Sequence, residues 1–260
     1  MLKNKVALIT GSTSGIGLGI AHALAAEGVN LVINGFGDAN EIEKIRQEIA
    51  IKNNVDVLYH GADMTKPDTI ADMMEQTIKK FGRLDILVNN AGIQHVAAVD
   101  EFPIDKWNDI IAINLSSAFH TIRLGLPYMK KQGWGRVINI GSIHSLVASP
   151  FKSAYNAAKH GIAGLTKTVA LEVAQQNITV NAICPAYVRT PLVDKQITAQ
   201  AQTRGISEED VINTVMLAPQ PIKRFTTVEQ LGGFVVFLCS DHAANITGAM
   251  LPMDGGWTVN

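Results

Sequence analysis

Cysteine and charged residues are both scarce in this 260-residue sequence. The two cysteines, Cys184 and Cys239, lie far apart and form no metal-ligand or disulfide spacing, which favours a reducing compartment. Only 17% of the residues are charged, and 22 basic against 23 acidic side chains leave a formal net charge of −1. A near-neutral chain lacks the basic surface that binds phosphate backbones, so the composition argues against a nucleic-acid partner.

Long apolar runs are also missing. No stretch approaches the roughly 18 uninterrupted apolar residues of a membrane span, and the first apolar run, residues 6–9, is too short for a secretory signal. Hydrophobic residues still make up 47% of the chain, enough for a sizeable core. We therefore expect a cytoplasmic protein without a membrane partner, folded as one domain over residues 1–260.

Short β-branched strands alternate with helical stretches along most of the chain. The predicted strands are residues 6–10, 31–33, 55–59, 86–88, 137–140, 179–183 and a proline-containing edge strand at 250–253. The predicted helices include residues 16–27, 41–52 and 67–81. Because the strands are uniformly apolar, the pattern predicts an α/β Rossmann fold, a doubly wound parallel sheet with helices on both faces. Residues 187–223 contain three prolines and no strand, and are interpreted as a small lid over the carboxyl ends of the strands.

A glycine-rich turn, TGSTSGIG at residues 10–17, follows the first strand. Its glycines allow a tight turn and a close approach to a pyrophosphate, which the free N–H groups of the next helix would bind. An ordinary strand–helix turn is the alternative, but the position after strand one favours a dinucleotide site. The end of strand two, residues 34–38, carries no arginine or lysine to hold a 2′-phosphate, which predicts NAD rather than NADP. The acidic residue expected at the end of that strand is also missing, and Asp38 is interpreted as a helix cap.

Tyr155 and Lys159 form the most informative pair in the sequence. On a helix, residues four apart share a face, so the lysine would lie near the phenol and lower its pKa. A tyrosine with a lowered pKa can exchange a proton with an alcohol or carbonyl near neutral pH. A chance pair on an amphipathic helix is the alternative. Ser142 ends strand five and Asn90 ends strand four, so we expect both in the same crevice as Tyr155.

The motifs TGSTSGIG, NNAG at residues 89–92, Asn114, Ser142, YNAAK and the turn at Pro185 occur in the order of the short-chain dehydrogenases/reductases. The sequence resembles this family over essentially its whole length. The resemblance implies a seven-stranded Rossmann fold, a nicotinamide cofactor and a homotetramer. It further implies that Tyr155 is the general acid/base, that Lys159 lowers its pKa and holds the cofactor ribose, that Ser142 polarises the substrate oxygen and that Asn114 anchors a water.

The same resemblance implies a set of cofactor-binding positions, and one departure from the family pattern. The implied cofactor contacts are Gly11, Thr13, Ser14, Gly15, Ile16, Gly17, Phe36, Asp63, Asn90, Tyr155, Lys159, Val188 and Thr190. Where the family usually has Pro-Gly, this chain has Pro185 followed by Ala186. If that backbone position needs a positive φ, the alanine would be strained there.

Five further side chains point to the substrate: Gln94, His144, Lys152, Gln196 and Trp257. A lysine, a histidine and two amides around a dehydrogenase site suit a small carboxylate, although each residue alone could be structural or solvated. With Ser142 and Tyr155, and with the context INGFGDA, NNAGIQH and MDGGWT, they resemble the subfamily of bacterial D-3-hydroxybutyrate dehydrogenases. The resemblance implies a carboxylate clamp closed by Trp257 and reversible oxidation of a short 3-hydroxy acid, (R)-3-hydroxybutanoate, to acetoacetate with NAD. No cluster of residues in the sequence suggests a catalytic metal.

Two other interpretations remain open. A 3-oxoacyl-carrier-protein reductase shares the fold and the catalytic residues, but it would need NADPH, and no cation for a 2′-phosphate stands near residue 35. A non-catalytic nucleotide-sensing protein could use the same fold, but such a protein need not keep Asn114, Ser142, Tyr155 and Lys159 together. The sequence therefore favours an enzyme.

Overall fold

A seven-stranded parallel sheet forms the centre of the structure, a computed structural model that describes residues 2–259 apart from the Leu192 side chain. The strands are β1 (Val6–Ile9), β2 (Asn30–Asn34), β3 (Val57–His60), β4 (Ile86–Asn89), β5 (Gly135–Ile140), β6 (Ile178–Pro185) and β7 (Met250–Met253). Their order is β3-β2-β1-β4-β5-β6-β7, and every neighbouring pair is parallel. The predicted strands are all confirmed, with bounds that differ by up to two residues.

Helices cover both faces of this sheet. They are α1 (Gly15–Ala26), α2 (Ala39–Asn53), α3 (Pro67–Phe81), α4 (Ile104–Ile111), α5 (Ser117–Gln132), α6 (Ser153–Val173), α7 (Pro191–Arg204), α8 (Glu208–Asp210) and α9 (Val228–Cys239). One apolar cluster packs α1 and α9 against β1, β2 and β4, and a second packs α3, α5 and α6 against the opposite face. The doubly wound Rossmann architecture is thus confirmed.

Local sequence signals account for several element bounds. Pro67 opens α3 because a missing N–H is harmless in the first turn, and Gly82 ends that helix with φ +70°. Thr227 caps α9 through a capping box with Gln230. Pro252 lies in β7 at the edge of the sheet, as its missing donor predicts.

The strand order reverses between β1 and β4, and this reversal positions the site. The connections from β1 and β4 leave toward opposite sides, which opens a crevice at their carboxyl ends. The segment 187–223 follows β6 at the same end of the sheet. It consists mainly of α7, α8 and a π-helical segment, Val211–Met216, and its one strand-like feature is an isolated bridge from Val188 to Thr226.

Candidate active site

A cleft of about 790 Å³ opens where β4, β5 and β6 end. The predicted site residues that line it are Ile16, Asn90, Gln94, Ser142, His144, Lys152, Tyr155, Lys159, Val188, Thr190, Gln196 and Trp257. The structure therefore brings all seven predicted substrate residues, Tyr155 among them, together in one cleft. The other predicted residues, namely Gly11, Thr13, Ser14, Gly15, Gly17, Phe36, Asp63 and Asn114, lie outside the lining of this cleft.

The glycine-rich turn at residues 10–17, called the glycine cradle, has a backbone shape that suits an anion. Gly11 and Gly15 have φ of +61° and +55°, which side chains with a Cβ rarely adopt. At Gly17 a Cβ would stand 2.5 Å from Asn90 Nδ2, so only glycine lets α1 approach this closely. Ser14 occupies the N-cap of α1 without a side-chain hydrogen bond, which leaves the first N–H groups of the helix free. These features fit the pyrophosphate of a dinucleotide.

Asn90 joins the end of β4 to this turn. Its Nδ2 donates to the carbonyl oxygens of Thr10 and Gly11, both at 2.9 Å, and its backbone N–H donates to Thr10 Oγ1 at 3.0 Å. Asn34 Oδ1 accepts from the Gly11 N–H at 3.2 Å. Sequence reasoning missed the roles of Thr10 and Asn34, whose only signal was their position at strand ends.

The connections after β2 and β3 carry two of the predicted cofactor contacts, Phe36 and Asp63. Phe36 is 69% exposed, and its carbonyl accepts from Thr13 Oγ1 at 3.1 Å. Asp38 caps α2 by accepting from two backbone N–H groups, as predicted. Asp63 is engaged locally: its Oδ1 accepts from the N–H and the hydroxyl of Thr65, and these bonds lower the pKa of its carboxyl.

Tyr155 and Lys159 lie one turn apart on α6, but their electrostatics differ from the sequence prediction. Lys159 Nζ donates to the Ile140 carbonyl at 2.7 Å and stands 5.6 Å from the Tyr155 ring centroid. Burial lowers the pKa of Lys159 to about 8. Burial also raises the pKa of Tyr155, although a hydrogen bond with Ser142 opposes this. The predicted lowering of the Tyr155 pKa is therefore wrong for this structure, because the lysine bonds a backbone carbonyl and desolvation dominates.

Ser142 lies two residues after β5 and is held in place by its neighbours. Its Oγ accepts from the His144 N–H at 3.2 Å, and its own N–H donates to Ser145 Oγ at 3.3 Å, which forms a capping box. Cys184 lies directly beneath, where its thiol pairs with the Ser145 hydroxyl. These contacts orient the Ser142 hydroxyl toward the hydroxyl of Tyr155.

Asn114 lies outside the cleft and stabilises the loop after β4. It lies in a π-helical turn, Ala112–Ser116, between α4 and α5, and such turns are frequent at functional sites. Its side chain accepts from the Ile93 N–H and donates to the Ile93 carbonyl, both at 2.9 Å. These two bonds fix the loop that carries Gln94 into the cleft.

The part of the cleft around Lys152 combines polar and aromatic side chains. Burial and the nearby Lys152 lower the pKa of His144 to about 4, so its ring is neutral near pH 7. His144 Nε2 lies 3.3 Å from Ser149 Oγ, and the ring meets Tyr155 edge-on at 5.9 Å. Burial also lowers the pKa of Lys152.

Three lining residues with polar side chains were missed from the sequence: Ser149, Tyr187 and Gln200. Tyr187 packs on Trp257 with ring centroids 6.0 Å apart, and the two form an aromatic wall. Gln200 follows Gln196 by one helical turn, which was a usable signal, whereas Tyr187 and Ser149 had none. Ala186 also lines the cleft, and its φ is not positive, so the alanine carries no backbone strain.

The described residues contain neither a metal-binding cluster nor a membrane-spanning helix. Within residues 2–259, no group of three or more His, Cys, Asp and Glu side chains could hold a metal ion. No helix in the described part of the chain has both the length and the apolar character needed to cross a membrane.

The strand order reverses beside the glycine-rich turn, and Ser142, Tyr155 and Lys159 lie together at the same end of the sheet. This is the arrangement of a dinucleotide-dependent oxidoreductase. The family model described as enoyl-(acyl carrier protein) reductase matches residues 11–258, and the chain belongs to the short-chain dehydrogenases/reductases. It is 62% identical to the D-beta-hydroxybutyrate dehydrogenase of Rhizobium meliloti over 98% of each chain. It is 57% identical to the D-beta-hydroxybutyrate dehydrogenase of Cupriavidus necator over 99% of each, and 32% identical to a 3-oxoacyl-[acyl-carrier-protein] reductase of Thermotoga maritima, also over 99% of each.

Proposed function

We propose that this protein is an NAD-dependent dehydrogenase that reversibly oxidises (R)-3-hydroxybutanoate to acetoacetate. The observation that carries the proposal is the convergence of Gln94, His144, Lys152 and Gln196 on the cleft that holds Tyr155. Such a set of donors suits a carboxylate a few ångströms from the reacting carbon. The two relatives named D-beta-hydroxybutyrate dehydrogenase, at 62% and 57% identity, support the same substrate.

The carboxylate end of the acid is bound by charge and hydrogen bonds. The Lys152 ammonium supplies the charge, and the amides of Gln94 and Gln196 supply neutral donors. The neutral His144 ring offers one further N–H without a second charge. Holding the carboxylate at one end and the hydroxyl at the other fixes which face of C3 is presented, which makes the reaction stereospecific.

Proton transfer is assigned to Tyr155. Its phenolic oxygen removes the proton of the substrate hydroxyl, while the Ser142 hydroxyl hydrogen-bonds the same oxygen as it becomes a carbonyl. Lys159, when protonated, favours the phenolate that this step requires. The bound nicotinamide cofactor supplies the acceptor for the hydride that leaves C3.

The cradle at the N-terminus of α1, together with Asn90, Val188 and Thr190, is proposed to hold that cofactor. NAD is favoured over NADP because residues 34–38 contain no arginine or lysine, while Asp38 adds a negative charge there. Phe36, largely exposed beside this turn, is proposed to pack against the adenine, and Asp63 to contact it by hydrogen bonding.

We further propose that residues 187–223 close over the acid, that the chain forms a homotetramer, and that it works in the cytoplasm. The aromatic wall of Tyr187 and Trp257 supports closure, because the lid already contacts the C-terminal segment. Large exposed apolar side chains on α4, α5 and α6, namely Trp107, Phe119 and Leu171, support contacts between copies. The two buried cysteines are free, which suits a reducing compartment.

The decisive experiment measures NADH absorbance with each enantiomer of 3-hydroxybutyrate, with NAD or NADP as acceptor. We expect turnover with the R enantiomer and NAD only. A 3-oxoacyl-carrier-protein reductase, the activity named for the 32% identical relative, would instead reduce 3-oxoacyl substrates with NADPH. Binding of NAD without turnover of any hydroxy acid would favour a nucleotide-sensing protein and contradict the proposal.

A further inference from the structure

Phe151 adopts a backbone conformation that its side chain does not favour. Its φ is +65°, in the left-handed region, where a bulky residue other than glycine is an outlier. The phenyl ring is 58% exposed, so burial of the ring does not explain why the backbone holds this shape. Backbone strain of this kind persists only where surrounding contacts maintain it.

One backbone hydrogen bond maintains it here. The Ala97 N–H donates to the Phe151 carbonyl at 3.0 Å, which ties the loop after β4 to the loop after β5. Gln94 stands three residues before Ala97, and Lys152 directly follows Phe151; both side chains line the cleft. The bond therefore links the two segments that carry the candidate carboxylate ligands.

The direction of Lys152 depends on this conformation. Lys152 occupies the N-cap of α6, so its Cα is fixed by the helix that also carries Tyr155. If φ of Phe151 relaxed to a negative value, the chain on one side of Phe151 would rotate relative to the other. The Phe151 carbonyl and Lys152 follow the rotating N–Cα bond and move together, whereas Ser149 lies on the other side, where its carbonyl accepts from Asn156 Nδ2 of α6 at 2.9 Å. That bond could not then be kept while the Phe151 carbonyl stayed on Ala97 and Lys152 kept its place in the cleft.

We propose that Phe151, through its left-handed backbone and its bond to Ala97, is a positioning residue that holds the Lys152 ammonium ready for the substrate carboxylate. This rests on the proposed function, because it assumes an acid as substrate. It assigns a role to a backbone conformation rather than to the phenyl ring. Replacing the ring should therefore matter less than changing the backbone preference at this position.

Three substitutions separate ring from backbone. Phe151→Val introduces a β-branched residue that disfavours positive φ, so the binding-competent loop becomes a minor state and KM for 3-hydroxybutyrate should rise about five- to tenfold. Phe151→Gly adopts positive φ freely and should keep KM within about twofold of wild type. Phe151→Ala removes the ring alone and should also stay close to wild type. A KM that rises equally in the Ala and Val variants would assign the effect to the ring and overturn the proposal.

A double-mutant cycle tests whether Phe151 acts through Lys152. Lys152→Ala should raise KM for the acid about ten- to a hundredfold, as expected when a hydrogen bond to a charged group is lost, with a smaller change in kcat. In the Lys152→Ala variant, Phe151→Val should raise KM almost no further, because the side chain that Phe151 positions is already gone. Additive effects on KM would overturn the proposal.

A second readout needs no substrate. The pKa of Lys152, measured by NMR of ¹³C-dimethylated lysines and assigned by loss of its signal in Lys152→Ala, is lowered by burial in the wild type. It should return toward the ordinary value in Phe151→Val and stay low in Phe151→Gly. An unchanged Lys152 pKa in Phe151→Val overturns the positioning role. A shifted pKa in an enzyme that does not oxidise 3-hydroxybutyrate supports the positioning role and defeats the proposed function instead.

Asn54→Val is the matched control. Asn54 is exposed, has φ +52° and precedes the amino end of β3, opposite the cleft. The same β-branched substitution there should lower stability but leave KM and the Lys152 pKa unchanged. An equal rise of KM in this variant would mean that general destabilisation explains the Phe151→Val result, which would also overturn the proposal.

Discussion

At the scale of single residues, Tyr155 and Lys159 show where local spacing stops being informative. Their separation of four residues on α6 places them on one face, and both line the cleft. Their ionisation is decided by neighbours from other elements, since the Lys159 ammonium donates to the Ile140 carbonyl of β5. Burial raises the pKa of Tyr155, so proton exchange near neutral pH requires that the phenolate be stabilised when the site fills.

Removing the phenolic oxygen tests this role. Tyr155→Phe should lower kcat at least about a hundredfold, because a general acid/base contributes 10²–10⁴-fold and phenylalanine cannot transfer a proton. Binding of NADH, followed by fluorescence titration, should be retained because the ring still packs edge-on against His144. A variant with kcat within tenfold of wild type would show that another group transfers the proton.

His144 makes stability depend on pH. Its pKa is lowered from 6.5 to about 4 in the folded protein, so the unfolded chain binds the extra proton first. The stability that the neutral ring contributes is therefore present above pH 6.5 and is lost as pH falls from 6.5 toward 4. Between pH 7 and pH 5 the wild type should lose about 2 kcal/mol from this group.

Urea unfolding of the wild type and of His144→Gln at pH 7 and pH 5 measures that loss. The variant should lose about 2 kcal/mol less than the wild type over this interval, since glutamine does not titrate. The same loss in His144→Gln as in the wild type would contradict the assignment.

At the scale of elements, the contact between α1 and the ends of β1 and β4 is the most demanding in the site. A Cβ on Gly17 would lie 2.8 Å from Ser12 Cα and 2.5 Å from Asn90 Nδ2. Neither neighbour can retreat easily, because Asn90 already donates to the Thr10 and Gly11 carbonyls. Gly17 is therefore required by packing.

Gly17→Ala should destabilise the protein by about 1–3 kcal/mol, the usual effect of overpacking, and should weaken NAD binding strongly because the cradle shifts. Gly233→Ala is the matched control: Gly233 lies exposed inside α9 and a Cβ there meets nothing within 4 Å. That variant should be unchanged or more stable by about 0.5–1 kcal/mol, since alanine favours helix. Thermal unfolding measures the stability of the two variants, and isothermal titration measures their affinity for NAD. Equal losses of stability and affinity in the two variants would contradict the packing argument.

At the scale of the whole molecule, cofactor binding adds to global stability by mass action. NAD at a hundred times its Kd should stabilise the fold by about 2.7 kcal/mol, which is visible as a rise in Tm. NADP at the same concentration should raise Tm much less, because its 2′-phosphate meets no cation at residues 34–38. Phe36→Arg should increase the NADP shift selectively, and equal shifts with both cofactors in the wild type would defeat the NAD assignment.

Much of the architecture could be predicted from the chain. The seven strands, the first three helices and the edge position of β7 were predicted because each depends on period, proline and glycine signals within a few residues. Less of the site could be predicted from the sequence. Ser149 and Tyr187 escaped prediction because nothing local marks a side chain that faces a cleft formed by other segments, whereas the helical spacing from Gln196 was a signal for Gln200. The backbone strain considered for Ala186 is absent, because its φ is not positive. Phe151, in contrast, has a positive φ that its residue type does not suggest.

The sequence by itself determined the fold class, the glycine cradle and the pairing of Tyr155 with Lys159, because propensity and helical spacing are properties of neighbouring residues. Only the tertiary structure decided the protonation of those groups, the support of Asn114 beneath Ile93 and the hydrogen bond from Ala97 to Phe151. Desolvation and hydrogen bonding depend on which distant segments meet, and that is set by the packing of the whole sheet and its helices.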